Sequence, residues 1–239
     1  MTSILNASSD AVSHGISALC MSAVASLSTR KISPVAVADH GKGHRNADWG
    51  FSKVDLIGLS NTRRYWRSQN LGVVRAVARL GGLSSPTARV IARSKAILDV
   101  PGGDSLTDLY GPKRFRTMVL SKQRALDSGK KLILLPQTLG PFNDAKCRAE
   151  AVDIPKAADA VWRRDKSSGQ LMPHMPGASS NPQKHWLGLD IAVALPQIEP
   201  NSGLYAKVLG WLNAQRDGPQ RLGPAVNGPS VGTKDFRFG

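Results

Sequence analysis

The sequence predicts an α/β fold with a parallel sheet flanked by helices, and three observations carry that prediction. Two apolar runs of strand length, Ala96–Val100 and Lys131–Leu135, each end in a turn rich in Gly, Pro, Asp, Ser or Gln. A helix-like segment from about Pro112 to Ser128, closed by Gly129, lies between them. The same order of strand, polar turn and helix recurs through most of the 239 residues. Parallel strands need a crossover connection, usually a helix, and ligands of such sheets sit beyond the strands' carboxyl ends. The polar turns are therefore where function is to be sought.

Each element can be justified in chain order. Thr2–Leu5 reads as a short first strand, followed by the polar turn Asn6–Ser9. Asp10 or Ser13 can cap a helix running to about Ser28, with serines at helical spacing among apolar residues. Lys31–Asp39, with its Val-Ala-Val centre, reads as a second strand ending at His40-Gly41. Residues 41–69 are charged and irregular and suggest no element. Val73–Leu80 and Pro86–Arg93 read as two helices separated by Gly81-Gly82. After the central block the pattern predicts a helix near Asp144–Ala157, a strand at Asp159–Trp162 and a helix opening near Lys166. A strand at Asp190–Leu195, ended by Pro196, closes the series. Met172–Lys184 is rich in Pro, Ser, Gly and Asn and reads as a loop. From Arg216 onward Gly and Pro recur without either periodicity, which predicts a disordered tail.

Composition bounds the partners. Lys and Arg number 32 against 17 Asp and Glu, a formal net charge of +15, which favours phosphorylated metabolites, lipid-linked phosphates, an anionic membrane surface or nucleic acid. The basic residues are scattered, without the aromatic interleaving of single-strand binders, so nucleic acid is the less expected partner. Cys20 and Cys147 are far apart and lack a spacing partner, which excludes paired-cysteine zinc sites and suits buried thiols in a reducing cytoplasm. No run approaches the length of a membrane-spanning helix, and Gly15–Leu27 lacks the basic flank of a signal peptide. No metal site is expected.

Four segments occur in order: PGGDSLTDLYG at Pro101–Gly111, PQTLGPF at Pro136–Phe142, WRRDKSS at Trp162–Ser168 and LDIAVALP at Leu189–Pro196. With them the chain resembles the polysaccharide pyruvyl transferase family, over roughly residues 1–200. The resemblance implies a Rossmann-like domain similar to the N-terminal half of a two-domain, GT-B-like transferase. Residues 201–239 would then be the start of a second domain or a disordered tail. It also implies transfer of an enolpyruvyl unit from phosphoenolpyruvate to a sugar or lipid-linked oligosaccharide acceptor, leaving a pyruvate ketal. The anionic donor is a substrate, and no further cofactor is implied.

The chemistry selects candidate residues. Phosphoenolpyruvate carries a carboxylate and a phosphate, for which the planar fork of Arg is better suited than Lys. Arg164, at the end of a predicted strand, matches the family Arg that contacts the donor; otherwise it pairs with Asp165 and stabilises a turn. Arg163 should point away from it, to the surface, because side chains alternate along an extended chain. Gly102 and Gly103 allow backbone N–H groups to approach an anion or sugar, while Asp104 and Ser105 either join that site or cap a helix. Asp104 could orient an acceptor hydroxyl. Gln137 and Thr138 can hydrogen-bond a ligand above the turn that Gly140-Pro141 forces. Asp190 either faces the cleft or caps a turn, and His14 and His40 are acid–base candidates or satisfied structural residues. Tyr65 and Trp66, in TRRYWR, offer a sugar-stacking or surface patch. Three other readings stay open: an inactive remnant of the family that binds a glycan or anion, a nucleotide-sugar glycosyltransferase, and a basic nucleic-acid-binding protein.

Overall fold

A computed structural model describes residues 1–9, 14–39, 43–62, 64, 66–79, 85–100, 102, 104–166, 168 and 184–195. The described residues form an α/β body around one mostly parallel sheet, and all lie within a single compact unit, Met1–Pro196. The strands are β1 (Thr2–Leu5), β2 (Val35–Asp39), β3 (His44–Asp48), β4 (Lys53–Gly58), β5 (Ala96–Asp99), β6 (Asp104–Leu106), β7 (Lys131–Leu139), β8 (Ala160–Arg163) and β9 (His185–Leu187). Their order is β3-β4-β2-β1-β5-β7-β8-β9, with β6 paired to the end of β7. Only β3, hydrogen-bonded to β4, runs antiparallel.

The helices are α1 (His14–Thr29), α2 (Leu71–Arg79), α3 (Pro86–Arg93), α4 (Pro112–Asp127) and α5 (Ala145–Ala157). Strand alternation sends neighbouring side chains to opposite faces of the sheet. Ile4, Val37, Leu56 and Leu98 pack with Leu19, Cys20, Ala23 and Val24 of α1. Leu5, Ala38, Ile57 and Ile97 face the other way, into a core shared with α2, α3, α4 and α5. Helices on both faces bury both sides of every central strand, which is why those strands are almost continuously apolar.

Caps fix where the helices begin and end. The Ser85 hydroxyl accepts the Ala88 N–H and Pro86 occupies the first turn of α3. Asp144 accepts the Lys146 N–H at 2.7 Å and starts α5. Asp108 accepts the Asn143 and Asp144 N–H groups just ahead of it, and the Asn143 bond above all holds its carboxyl below the usual range. Helix α1 closes with Ile32 N–H on Leu27 O and Lys31 N–H on Ser28 O, Lys31 taking a left-handed φ of 57°.

The structure corrects several sequence expectations. The stretch read as irregular, 41–69, contains the β3–β4 hairpin, turned at Gly50 with φ 79°. Its apolar signal is weak because β3 alternates exposed and half-buried positions at the sheet edge. Strand β7 extends four residues beyond Leu135, to Leu139. Pro136 is accommodated there because the register with β8 slips between Leu134 and Gln137, so no ladder N–H is required of it. Asp104–Leu106 is a strand rather than a turn that opens a helix, and α4 begins later, at Pro112, with Gly111 as its cap residue and no side-chain cap. The expected strand Asp190–Leu195 is instead a turn of 3-10 helix, Ile191–Ala194, because Asp190 captures the Ala192 N–H. The last strand lies just before it, at His185–Leu187. The tail from Arg216, the loop 172–183 and most of the helix expected near Lys166 fall outside the described residues.

Strand order reverses at β1. From β1 the chain winds outward through β2, then returns to place β5 on the other side of β1 and continues to β7, β8 and β9. Ligands of open α/β sheets bind in the crevice at such a reversal. Here its floor is a buried polar network. Lys122 Nζ of α4 lies 3.1 Å from Asp99 Oδ2 at the end of β5, with both side chains fully buried. Asn6, immediately after β1, donates to Asp99 Oδ1 at 2.6 Å and accepts the Ser121 hydroxyl at 2.9 Å. Gln137 of β7 donates to Asp99 Oδ2 at 3.2 Å. Burial pushes the Lys122 ammonium pKa down, and the Asp99 carboxylate opposes that shift.

Removing one partner of a buried ion pair leaves an uncompensated charge, so Lys122→Met should cost ~3–5 kcal/mol in urea unfolding. Adding Asp99→Asn to that variant removes the orphan charge and should recover part of the loss. A double variant no more stable than the single one would show that the pair is not what holds this crevice floor.

Candidate functional site

The polar segments singled out in the sequence converge at the carboxyl edge of β7 and β8. Arg164 follows β8 and donates its backbone N–H to Gln137 O at 3.1 Å. Its guanidinium reaches Asp190 Oδ2 through Nη1 at 3.1 Å and Thr138 Oγ1 through Nη2 at 3.1 Å. The Thr138 hydroxyl donates to Asp165 Oδ2 at 2.9 Å. Asp165 also accepts the Ser168 N–H and hydroxyl, and Ser168 in turn accepts the Leu139 N–H. Arg164 is 31% exposed and Asp190 35%, so the pair lies at a surface and is within reach of a ligand.

The other candidates are placed by the same strand ends. Asp104 pairs with Thr138 in the β6–β7 register, which brings the backbone of Asp104 beside the strand that carries Thr138. Ser105 follows it within β6, and Gly103 lies outside the described residues. Gly140 has φ 77° and donates its N–H to Leu106 O at 2.7 Å, tying the turn after β7 to β6. An L side chain at that φ would be strained, which accounts for glycine there. Gly102 sits against α1: a Cβ built on it would lie 2.6 Å from Ile16 Cγ1.

Gln137 does not join this cluster. Its side chain is fully buried and points to Asp99 and the Leu135 carbonyl, so it is part of the crevice floor. Its neighbour Thr138 takes the opposite direction along the strand and faces the Arg164 side. Asp190 takes the turn-capping role, accepting the Ala192 N–H through Oδ1, and its Oδ2 accepts from Arg164, a pairing the sequence did not suggest. His14 is exposed at the start of α1, while His40 lies outside the described residues. Arg163, expected at the surface, is half-buried, and its Nε is shielded and without a hydrogen-bond partner.

Sequence reasoning missed two features of this edge. One is the Asn6–Asp99–Lys122 network, whose sequence signal was an Asp ending an apolar strand and a Lys on an otherwise buried helix face. The other is a stack of Trp162 and Trp186, with ring centroids 5.2 Å apart and planes 25° apart, formed because the two residues pair in register across β8 and β9. Gly188 packs beneath this stack, against Trp162 and Pro136. Next to it, His185 is held below the usual imidazole pKa by burial, then by the charges of Arg163 and Lys184.

Among the described residues no cluster of three or more His, Cys, Asp or Glu could hold a metal, and no helix is long and apolar enough to cross a membrane. No protein-family model matches the sequence, and no curated protein matches it.

Two outcomes test the geometry. Gly102→Ala should destabilise the chain by ~1–3 kcal/mol through overpacking, and Ile16→Ala should relieve most of that cost in a double-mutant cycle. Additive effects would place Gly102 away from α1. A lowered folded pKa at His185 means that its contribution to stability is present above the unfolded value of about 6.5 and lost as pH falls below it. Thermal melts should therefore show a decline below pH 6.5 that His185→Gln flattens, and an unchanged acid limb in that variant would refute the assignment.

Proposed function

We propose that this chain is a pyruvyl transferase-like protein whose carboxyl edge binds phosphoenolpyruvate beside a sugar acceptor. One observation carries this reading. Thr138 joins segments distant in sequence: its hydroxyl bonds Arg164 and Asp165, and its backbone pairs in register with Asp104. The resemblance to the pyruvyl transferase family rests on the segments that contain these residues.

In this reading Arg164 receives the donor. Its fork now faces Asp190 and Thr138, and an incoming carboxylate or phosphate takes over the N–H that Nη1 gives to Asp190. Asp190 then serves as an internal stand-in for the anion and keeps the guanidinium oriented when no donor is present. Asp165, fixed by Ser168 and Thr138, sets the position of the Thr138 hydroxyl from behind. Asp104, one strand over, orients an acceptor hydroxyl.

The reaction balances without an added oxidant or cofactor. A proton adds to the methylene carbon of phosphoenolpyruvate, and the adjacent carbon becomes cationic. One sugar hydroxyl adds to that carbon, phosphate leaves with its bonding pair, and a second hydroxyl of the same sugar closes the ketal. Both hydroxyl protons are released, one of them replacing the proton consumed and the other taken up by the departing phosphate. The GT-B-like, two-half architecture belongs to this proposal, as does the place of Arg164 on the first half.

The test is phosphate release from phosphoenolpyruvate in the presence and absence of candidate sugar acceptors. Release should require an acceptor, and Arg164→Lys, which keeps charge but loses the fork, should lower it ~10²-fold, the scale of removing one oriented donor from a developing charge. Equal release by the parent chain and Arg164→Ala would remove Arg164 from the site. Calorimetric binding of phosphoenolpyruvate without turnover would favour the non-catalytic anion-binding reading.

A further inference from the structure

A second position on the same carboxyl edge has the chemistry of an anion site. A groove of about 420 Å³ lies between the loop that follows β4 and the first turns of α4. Its walls are Ser60, Asn61 and Thr62 on one side and Lys113, Arg114 and Thr117 on the other, with Met118 adding an apolar surface. No acidic residue lines it, and none occupies the first turn of α4. We propose that this groove binds the phosphate of a small phosphomonoester, with the apolar and hydroxyl-bearing walls receiving the body of the ligand. The proposal does not depend on pyruvyl transfer.

Three observations support it together. Lys113 forms no ion pair among the described residues, although it stands in a chain with a net charge of +15. The Arg114 guanidinium is steadied over the Tyr110 ring at 4.9 Å, a contact that leaves N–H edges for an oxyanion. Helix α4 starts at Pro112 with no side-chain cap and no acidic residue in its first turn, and Lys113, Arg114 and Thr117 of its first turns line the groove, so the positive end of a 16-residue helix adds to their charge.

The walls are also held in place before any ligand arrives. Asn61 Nδ2 donates to Thr117 Oγ1 at 3.0 Å, and the Thr117 hydroxyl donates to Lys113 O at 2.9 Å. Asn70 donates to the Thr62 carbonyl, and Ser60 exchanges backbone hydrogen bonds with Gln69 and Leu71. A volume of about 420 Å³ lies in the range of small-molecule sites and exceeds what a bare oxyanion needs, so the ligand carries a body of sugar or nucleoside size.

Calorimetry on the full chain at fixed ionic strength tests the proposal with glucose 1-phosphate, adenosine monophosphate, inorganic phosphate and glucose. At least one of the two phosphomonoesters should bind more tightly than inorganic phosphate, and glucose alone should not bind. Lys113→Gln and Arg114→Gln should each weaken phosphomonoester binding ~10-fold, the loss expected for one charge-assisted contact. Lys95→Gln at the opposite edge and Arg164→Ala should leave it unchanged. Binding that survives both Lys113→Gln and Arg114→Gln, or that is lost in Arg164→Ala, would overturn the proposal. So would binding to vesicles containing phosphatidic acid with none to either soluble ester. Because Arg164→Ala is the variant that tests pyruvyl transfer, failure of one site is distinguishable from failure of the other.

Discussion

One buried charge organises the carboxyl edge of this sheet. Asp99 carries no exposed surface, yet it ends the strand next to the point where the winding direction reverses. Burying a carboxylate is expensive unless it is paired and hydrogen-bonded. Its oxygens are met by Lys122 from α4, Asn6 from the end of β1 and Gln137 from β7. Three separate elements are thereby fixed relative to β5. The loops that leave β1, β5 and β7 start from positions set by this arrangement.

The same constraint decides which way β7 presents its side chains. Gln137 is drawn inward to Asp99, so the alternation of an extended chain sends Thr138 to the other side. The register slip between Leu134 and Gln137 makes this possible around Pro136, and lets the strand outlast β5 to pair with β6. Thr138 thus arrives opposite Asp104 and within hydrogen-bond reach of Arg164 and Asp165.

How much of this could be read from residues alone follows from where the apolar signal was strong. β1, β2 and β5 and helices α3, α4 and α5 sit in the core, and burial on both faces writes them plainly as apolar runs or periodic stripes. β3, β6 and β9 are short, lie at edges or strand extensions, and carry polar residues, so their pairing partners define them more than their composition does. Asp190 shows the limit well. Its segment, DIAVAL, has strand-like composition, but one side-chain bond to the Ala192 N–H diverts it into a 3-10 turn. The strand-end positions of Thr138 and Arg164 were legible because a polar residue after an apolar run is visible in sequence. The inward turn of Gln137 was not, since it depends on Asp99 and on a register slip that no local pattern records.

The two cationic positions on the edge are built by different elements. Lys113 and Arg114 stand on the first turn of α4 and face the loop that follows β4. Arg164 instead follows β8 and is held by Thr138 of β7 and by Asp190. The Asp99–Lys122 pair joins α4 to β5, and its charges cancel within the pair, so it adds no net charge to either position. Each position therefore takes its anion selectivity from its own neighbours: a carboxylate already sits on the Arg164 fork, whereas no acidic residue lines the groove. An anion must displace Asp190 at the first and displaces no carboxylate at the second.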